Sequence, residues 1–169
     1  MSKALENSIV WRSMLYVPSN NFEFIDKANQ RGADAIILDL EDSVPFREKN
    51  NARDGLAKAV LRVKNSNTDV LVRINRPLTD AIADIQASVI DDVSALMLPK
   101  IDSPEHIKLL AEVVEAREVS LGLKCDKIRF VPMIETASGY FRIKEIDFII
   151  VGVDNIDQLR KIVKIKKKN

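Results

Sequence analysis

The chain has 169 residues, of which 46% are hydrophobic and 30% charged, a composition that suits one globular domain with a sizeable core. Its formal net charge is +1, so no global field points to nucleic acid or a membrane as partner. A single cysteine (Cys125) and a single histidine (His106) exclude an intrachain disulfide, a cysteine metal cluster and a histidine-rich zinc site.

Residues 1–10 read as a flexible leader without the apolar segment of a signal peptide, and no run approaches the length of a membrane span. The expected location is therefore cytoplasmic. Residues 11–17 read as a first strand, stopped at Pro18. Ser19-Asn20-Asn21 can cap a helix that carries Phe22, Ile25 and Ala28 and ends at Gly32. Ala35-Ile36-Ile37-Leu38-Asp39-Leu40-Glu41-Asp42 is an apolar run that ends in three acids, the pattern of a buried parallel strand whose C-terminal end opens into a site. A helix over 48–63 follows, with Ala52, Leu56, Ala59, Val60 and Val63 on one face. The third strand, 69–75, ends in Arg73 and Asn75.

The same unit recurs downstream. A helix over 80–90 is expected to turn Ile82, Ile85 and Val89 inward. A strand over 95–98 leads to Pro99-Lys100. Ser103 and Pro104 form a capped helix start, with Ile107, Leu110, Ala111 and Val114 as the stripe. A fifth strand over 128–134 contains Pro132, which predicts a local irregularity. It runs into Glu135-Thr136 and a short helix over 137–145. A sixth strand is expected at 147–153, ending in Asp154-Asn155, then a last helix and a basic tail at 164–169. The tail and His106 read as solvated or structural features, and Cys125 as inert.

About six alternating strand–helix units imply a parallel sheet flanked by helices, α/β in class. An open doubly wound sheet and an incomplete (β/α)8 barrel both fit, and both place the working face at the C-terminal ends of the strands. There the sequence offers carboxylates (Asp39, Glu41, Asp42, Glu135, Asp154) and cations (Arg73, Lys100) together. Oxygen ligands from separate strands suit Mg²⁺, and arginine suits a substrate carboxylate. The plainer alternatives are that Arg73 only neutralises a neighbouring acid and that Asp154 only caps the last helix.

Arg12-Ser13-Met14-Leu15-Tyr16-Val17-Pro18 resembles the opening motif of the citrate lyase β-subunit family, within the HpcH/HpaI aldolase group. The 32–45 stretch Gly32-Ala33-Asp34 through Asp39-Leu40-Glu41-Asp42-Ser43-Val44-Pro45 does too, as do Val72-Arg73-Ile74-Asn75, Leu98-Pro99-Lys100 and Met133-Ile134-Glu135-Thr136-Ala137. The resemblance implies a Mg²⁺-dependent TIM barrel, a homo-oligomer, and cleavage of a 3-hydroxy-acyl thioester carried on coenzyme A or an acyl-carrier protein. It implies that Arg73 holds the substrate carboxylate, and the polar groups at the strands add Arg12, Asn75 and Lys100 as expected substrate contacts. Glu135 and Asp154 would hold the metal, while Glu41 and Asp42 would orient the site. Two departures stand out. Asp154 falls one position early in its Gly152-Val153-Asp154-Asn155 setting, and the chain stops short of the eight units of a full barrel. The expectation is one partial barrel domain over 1–169. The chemical alternatives are a catalytically impaired remnant or non-catalytic partner subunit, and a related aldolase acting on a 2-oxo acid.

Overall fold

The computed structural model describes residues 11–64, 68–124 and 127–149. Five strands, β1 (Met14–Pro18), β2 (Ala35–Asp39), β3 (Asp69–Arg73), β4 (Ala95–Leu98) and β5 (Arg129–Pro132), lie side by side in chain order, every pair parallel. A doubly wound sheet reverses direction partway across, so that helices fall on both faces. Here no reversal occurs, and repeated right-handed crossovers carry every helix to the same side. The described sheet is therefore an arc of a barrel, the second of the two architectures the sequence allowed.

Alternation along the strands sorts the side chains into two clusters. Ile36, Leu38, Val70, Val72, Leu96 and Leu98 face the helices and meet Leu56, Val60, Ile85, Leu110 and Val114. Burying each of these large apolar side chains contributes about 1.5–3 kcal/mol. Ala35, Ile37, Leu71, Ala95 and Met97 face the other way, toward the barrel interior, with Trp11, Val131 and Met133 packed on them.

The helices are α1 (Phe22–Ala28), α2 (Lys49–Val63), α3 (Leu78–Ser88), α4 (Pro104–Ser120), α5 (Ala137–Phe141) and α6 (Ile143–Ile149). Asn21 caps α1 by accepting from the Phe24 N–H, and Gly32 closes the following 3₁₀ turn in the left-handed region at φ 70°. The buried residues of α2 are the five expected ones. Ser103 caps α4 by accepting from the His106 N–H, with Pro104 at its first position.

Several expectations need correction. Helix α3 begins earlier and buries Ala81, Asp84 and Ile85, leaving Ile82 exposed. The polar Asp84 takes the inward position because Arg53 and Asn75 bond to it there. The single helix over 137–145 is two, divided at Arg142. Residues 147–149 extend α6 instead of opening a sixth strand. Ile143 and Ile146 stand three apart, and α6 packs on α4, with Ile146 buried and Arg142 paired to Glu105 at 3.1 Å. That helical spacing prevails over the apolar run that follows it. Residues 150–153, the last expected helix, Asp154, Cys125, the leader and the basic tail lie outside the described residues. Pro132 ends β5 without breaking it. The Arg129 and Met133 N–H groups donate to Ser94 and Leu98 of the β4 side, so the donor missing at Pro132 falls on the side away from β4. Among the described residues, no helix is long and apolar enough to cross a membrane.

Candidate active site

Asp39 and Arg73 are the last residues of β2 and β3, and the parallel register sets them side by side on the interior face. Arg73 donates through Nε and Nη2 to the two oxygens of Asp39, at 2.7 and 2.6 Å, a bidentate fork. Asp39 is 1% exposed and also accepts from the Glu41 and Ser43 N–H groups, at 2.9 and 3.0 Å, and from the Ser43 hydroxyl. Burial pushes the Asp39 carboxyl up, but the bonds from Arg73, Ser43 and the Glu41 N–H outweigh it and hold the group below the usual carboxylate range. The same hydrogen bonds to Asp39 raise Arg73 above its ordinary value. The Tyr16 ring of β1 lies under the guanidinium, with Cζ 4.8 Å from the ring centre. Two sides of Arg73 are thereby fixed, and the Nη1 edge points toward Glu41 and Asp42.

Glu41 is 5% exposed. Its Oε1 accepts from Lys100 Nζ at 2.6 Å, a bond that raises the Lys100 ammonium above its ordinary value. Its Oε2 lies 3.2 Å from Arg73 Nη1 but makes no hydrogen bond. Asp42 turns outward, 4.0 Å from Arg73 and 3.6 Å from Lys100. Lys49, from the start of α2, donates to the Leu40 and Glu41 carbonyls at 2.8 and 2.9 Å and pins the acidic loop.

Lys100 joins the acids of two strands. Its backbone sits at φ 50°, a left-handed conformation costly for a side-chain-bearing residue. In that conformation its N–H donates to Glu135 Oε2 at 2.9 Å while its ammonium holds Glu41. Glu135 is exposed at the rim after β5. Thr136 behind it caps α5 through Gly139 and donates to the Ile101 carbonyl at 3.0 Å. Asn75 reaches the rim as scaffold: its amide nitrogen donates to the Leu40 carbonyl at 2.9 Å and to Asp84 at 2.7 Å. Asp84 in turn pairs with Arg53 of α2 at 2.6 Å.

Arg12 is not with these groups. It precedes β1 and pairs with Asp34 at 2.8 Å, at the N-terminal edge of the sheet and the opposite end from Arg73. That pairing lowers Asp34 to about 2. The expectation that Arg12 contacts substrate here is therefore corrected, because a motif at the start of a strand cannot reach the rim at its end. Asp154 lies outside the described residues. Two contributors escaped the sequence reading of the site, Tyr16 as the platform of Arg73 and Lys49 as the loop's anchor, while Asp39 is the one among the strand-end acids that Arg73 pairs with. The signal for Asp39 was strand parity, since it ends its strand opposite Arg73 with the same inward phase.

Among the described residues, no three histidine, cysteine or acidic side chains converge as a metal cage. Mg²⁺ does not require one, because it takes one or two carboxylates and keeps its waters. The rim suits it on two counts. Glu135 is an exposed carboxylate with only one oxygen engaged by Lys100, and the buried Glu41 Oε2 lacks a hydrogen-bond donor that a cation's water could supply. From this rim a groove of about 540 Å³ runs outward past Glu41, Asn75 and Lys100 to Phe46 and Arg76.

Known proteins are similar to this chain. The citrate lyase subunit beta of Leuconostoc mesenteroides subsp. cremoris is 31% identical over 143 residues, covering 84% of this chain and 47% of that protein. The mitochondrial citramalyl-CoA lyase of Mus musculus is 34% identical over 145 residues, covering 80% and 40%. Among solved structures, the CitE protein of Mycobacterium tuberculosis in complex with magnesium, acetoacetate and coenzyme A superposes with a TM-score of 0.59 at 28% identity, covering 79% of this chain and 43% of that one. RipC from Yersinia pestis superposes with a TM-score of 0.58 at 27% identity, covering 82% and 53%. The chain thus spans about half the length, or less, of the relatives it matches. The family pattern of HpcH/HpaI aldolase/citrate lyase matches residues 12–159, and the chain belongs to that family.

Proposed function

We propose that this chain carries the substrate-binding rim of a Mg²⁺-dependent carbon–carbon lyase that cleaves a 3-hydroxy-acyl thioester of the citryl, malyl or citramalyl type. The observation that carries the reading is Arg73, locked by Asp39 and Tyr16 with its Nη1 edge turned to Glu41 and Asp42 at the inner end of the groove. A guanidinium held this way grips a carboxylate at little entropic cost, and its fixed charge orients the substrate. Glu41 and Lys100 stand beside it as an acid and a cation that can hold the hydroxyl and carbonyl oxygens. Asp42, at the open side, orders water. Cleavage removes the proton of the 3-hydroxyl, breaks the C2–C3 bond and leaves the electron pair on the thioester fragment as an enolate. Glu41, buried and with an Oε2 that accepts no hydrogen bond although it lies 3.2 Å from Arg73 Nη1, would take that proton. Glu135, with Asp154, would hold Mg²⁺, which supplies charge stabilisation at the enolate oxygen when bound.

The carrier, a homo-oligomeric state and a cytoplasmic location complete the reading. The single cysteine supports the location. A second reading is a non-catalytic partner subunit. Purified chain incubated with citramalyl-, malyl- and citryl-coenzyme A separates the two. The lyase reading expects cleavage of at least one, and a fall in kcat/KM of about a hundredfold or more in Arg73→Ala. No cleavage of any of them under magnesium would support the partner reading instead.

A further inference from the structure

Asp84 is a buried charge behind the rim. It lies in the middle of α3, on the inward stripe between Ala81 and Ile85, and does not line the groove. Its Oδ2 accepts from both the Asn75 backbone N–H at 2.6 Å and the Asn75 amide nitrogen at 2.7 Å. Its Oδ1 accepts from Arg53 Nε at 2.6 Å, and Arg53 is also held by Asp80 at 2.8 Å and Asn50 at 2.9 Å. Burial pushes the Asp84 carboxyl above its ordinary value even with these bonds made. Exchanging a buried ion pair for apolar side chains is often neutral or stabilising. Stability alone therefore does not account for a carboxylate here, and its hold on Asn75 is the informative feature.

The pairing of β2 with β3 ends at Asp39 and Arg73, followed by the Leu40 N–H donating to the Arg73 carbonyl at 3.0 Å. Past that point side chains hold the loop. The Leu40 carbonyl accepts from the Asn75 amide nitrogen at 2.9 Å and from Lys49 Nζ at 2.8 Å. On β3, the Ile74 N–H still donates to Met97 of β4 at 3.2 Å, whereas the Asn75 N–H turns to Asp84. One carboxylate thus continues the framework where the sheet stops. We infer that Asp84 is a positioning residue for the rim: by clamping both donors of Asn75 it fixes the Leu40–Glu41 peptide, and with it the Glu41 carboxylate beside Arg73. The role of Glu41 is taken from the lyase reading, on which this inference rests. The Asn75 amide shares its two hydrogens between Asp84 and Leu40, which sets its plane. Lys49 and Arg53 stand about one turn apart on α2, so the same helix pins the loop directly and braces Asp84 from behind. Without the clamp the amide can turn and Glu41 can shift, and a misplacement of about 1 Å at a reacting group costs roughly a hundredfold in rate.

Two double variants isolate this role, because both remove the buried ion pair and only one keeps an acceptor for Asn75. Asp84→Asn with Arg53→Met keeps it, and Asp84→Leu with Arg53→Met does not. Amide hydrogen exchange of the full chain reads the loop without turnover. Exchange over residues 40–44 is expected to rise about tenfold or more in the Asp84→Leu double variant and to stay near wild type in the Asp84→Asn one, with α2 and α3 unchanged in both. Turnover is assayed with citramalyl-, malyl- and citryl-coenzyme A. For the thioester that wild type cleaves, kcat is expected to fall about tenfold or more in the Asp84→Leu double variant, at a KM within about threefold of wild type, and to return in the Asp84→Asn one. If the Asp84→Leu double variant does not fold, Asn75→Ala breaks the same link with the ion pair intact and is expected to show both effects. Equal exchange over residues 40–44 in the two double variants, or in Asn75→Ala and wild type, overturns the inference. So does exchange that rises equally across α2 and α3, or a loss that falls on KM alone. Turnover with equal exchange would sink this inference and leave the lyase reading standing. The expected exchange pattern without turnover in wild type would do the reverse.

Discussion

Replacing Asp39 with asparagine keeps the shape of the side chain and removes its charge. Both oxygens are fully engaged, so the new amide must aim its nitrogen at donors: either at Arg73 Nη2 and the Ser43 N–H, or at Arg73 Nε and the Glu41 N–H. Arg73 is 13% exposed and would be left half-partnered in a buried place. Breaking one side of such a buried pair costs about 3–5 kcal/mol, and the nearby Glu41 Oε2 at 3.2 Å offsets part of it. A loss near 3 kcal/mol lowers the melting temperature of a domain of this size by roughly 6–12 °C. The pH dependence has a definite sign. Because the folded Asp39 carboxyl titrates below its unfolded value, the pair's contribution is complete above about pH 5 and fades as pH falls below about 4 toward the depressed folded value. The gap in melting temperature between wild type and Asp39→Asn should therefore be flat in neutral buffer and narrow in acid. A double-mutant cycle with Arg73→Met, followed by circular dichroism melts, isolates the pair. A coupling energy below about 1 kcal/mol would mean that the pair behaves like a surface contact, and the reasoning about a locked guanidinium would be wrong.

Other substitutions probe the frame behind the site. A Cβ added at Gly139 would stand 2.2 Å from the Ile101 carbonyl oxygen, so Gly139→Ala should destabilise by about 1–3 kcal/mol in a denaturant melt, where alanine in a free helix would stabilise. An unchanged midpoint would show that α5 is not clamped to the loop after β4. Lys100→Gly and Lys100→Ala both lose the ammonium that holds Glu41, so comparing them isolates the backbone. At φ 50° glycine should be the more stable by about 1 kcal/mol, the reverse of the usual order, and the usual order in a thermal melt would contradict the left-handed assignment.

Much of this architecture could be read from local pattern. The five apolar residues of α2 and the Ser103–Pro104 start of α4 obey helical spacing and capping rules, which act within a few residues. The apolar run ending at Asp39 was legible as a strand end for the same reason. What escaped depended on contacts distant in sequence. Asp84 points inward only because Arg53, 31 residues earlier, meets it there. Tyr16 supports Arg73 across β2, a relation fixed by register and not by spacing. Pro132 read as an irregularity, yet its missing donor faces away from β4 and leaves that ladder intact. The stretch 147–149 misled because an apolar run fits strand and helix alike, and packing of Ile146 on α4 decides between them. Arg12 misled because a motif's order in sequence says nothing of which end of the barrel it occupies.

The central claim is that Glu135 marks a magnesium site beside a fixed Arg73. Calorimetric titration of Mg²⁺ into the chain and into Glu135→Gln tests it most directly. The account predicts binding by wild type and at least tenfold weaker binding by the variant, with the fold and melting temperature of both alike. Equal magnesium affinity in the two proteins, or none in wild type, would contradict it.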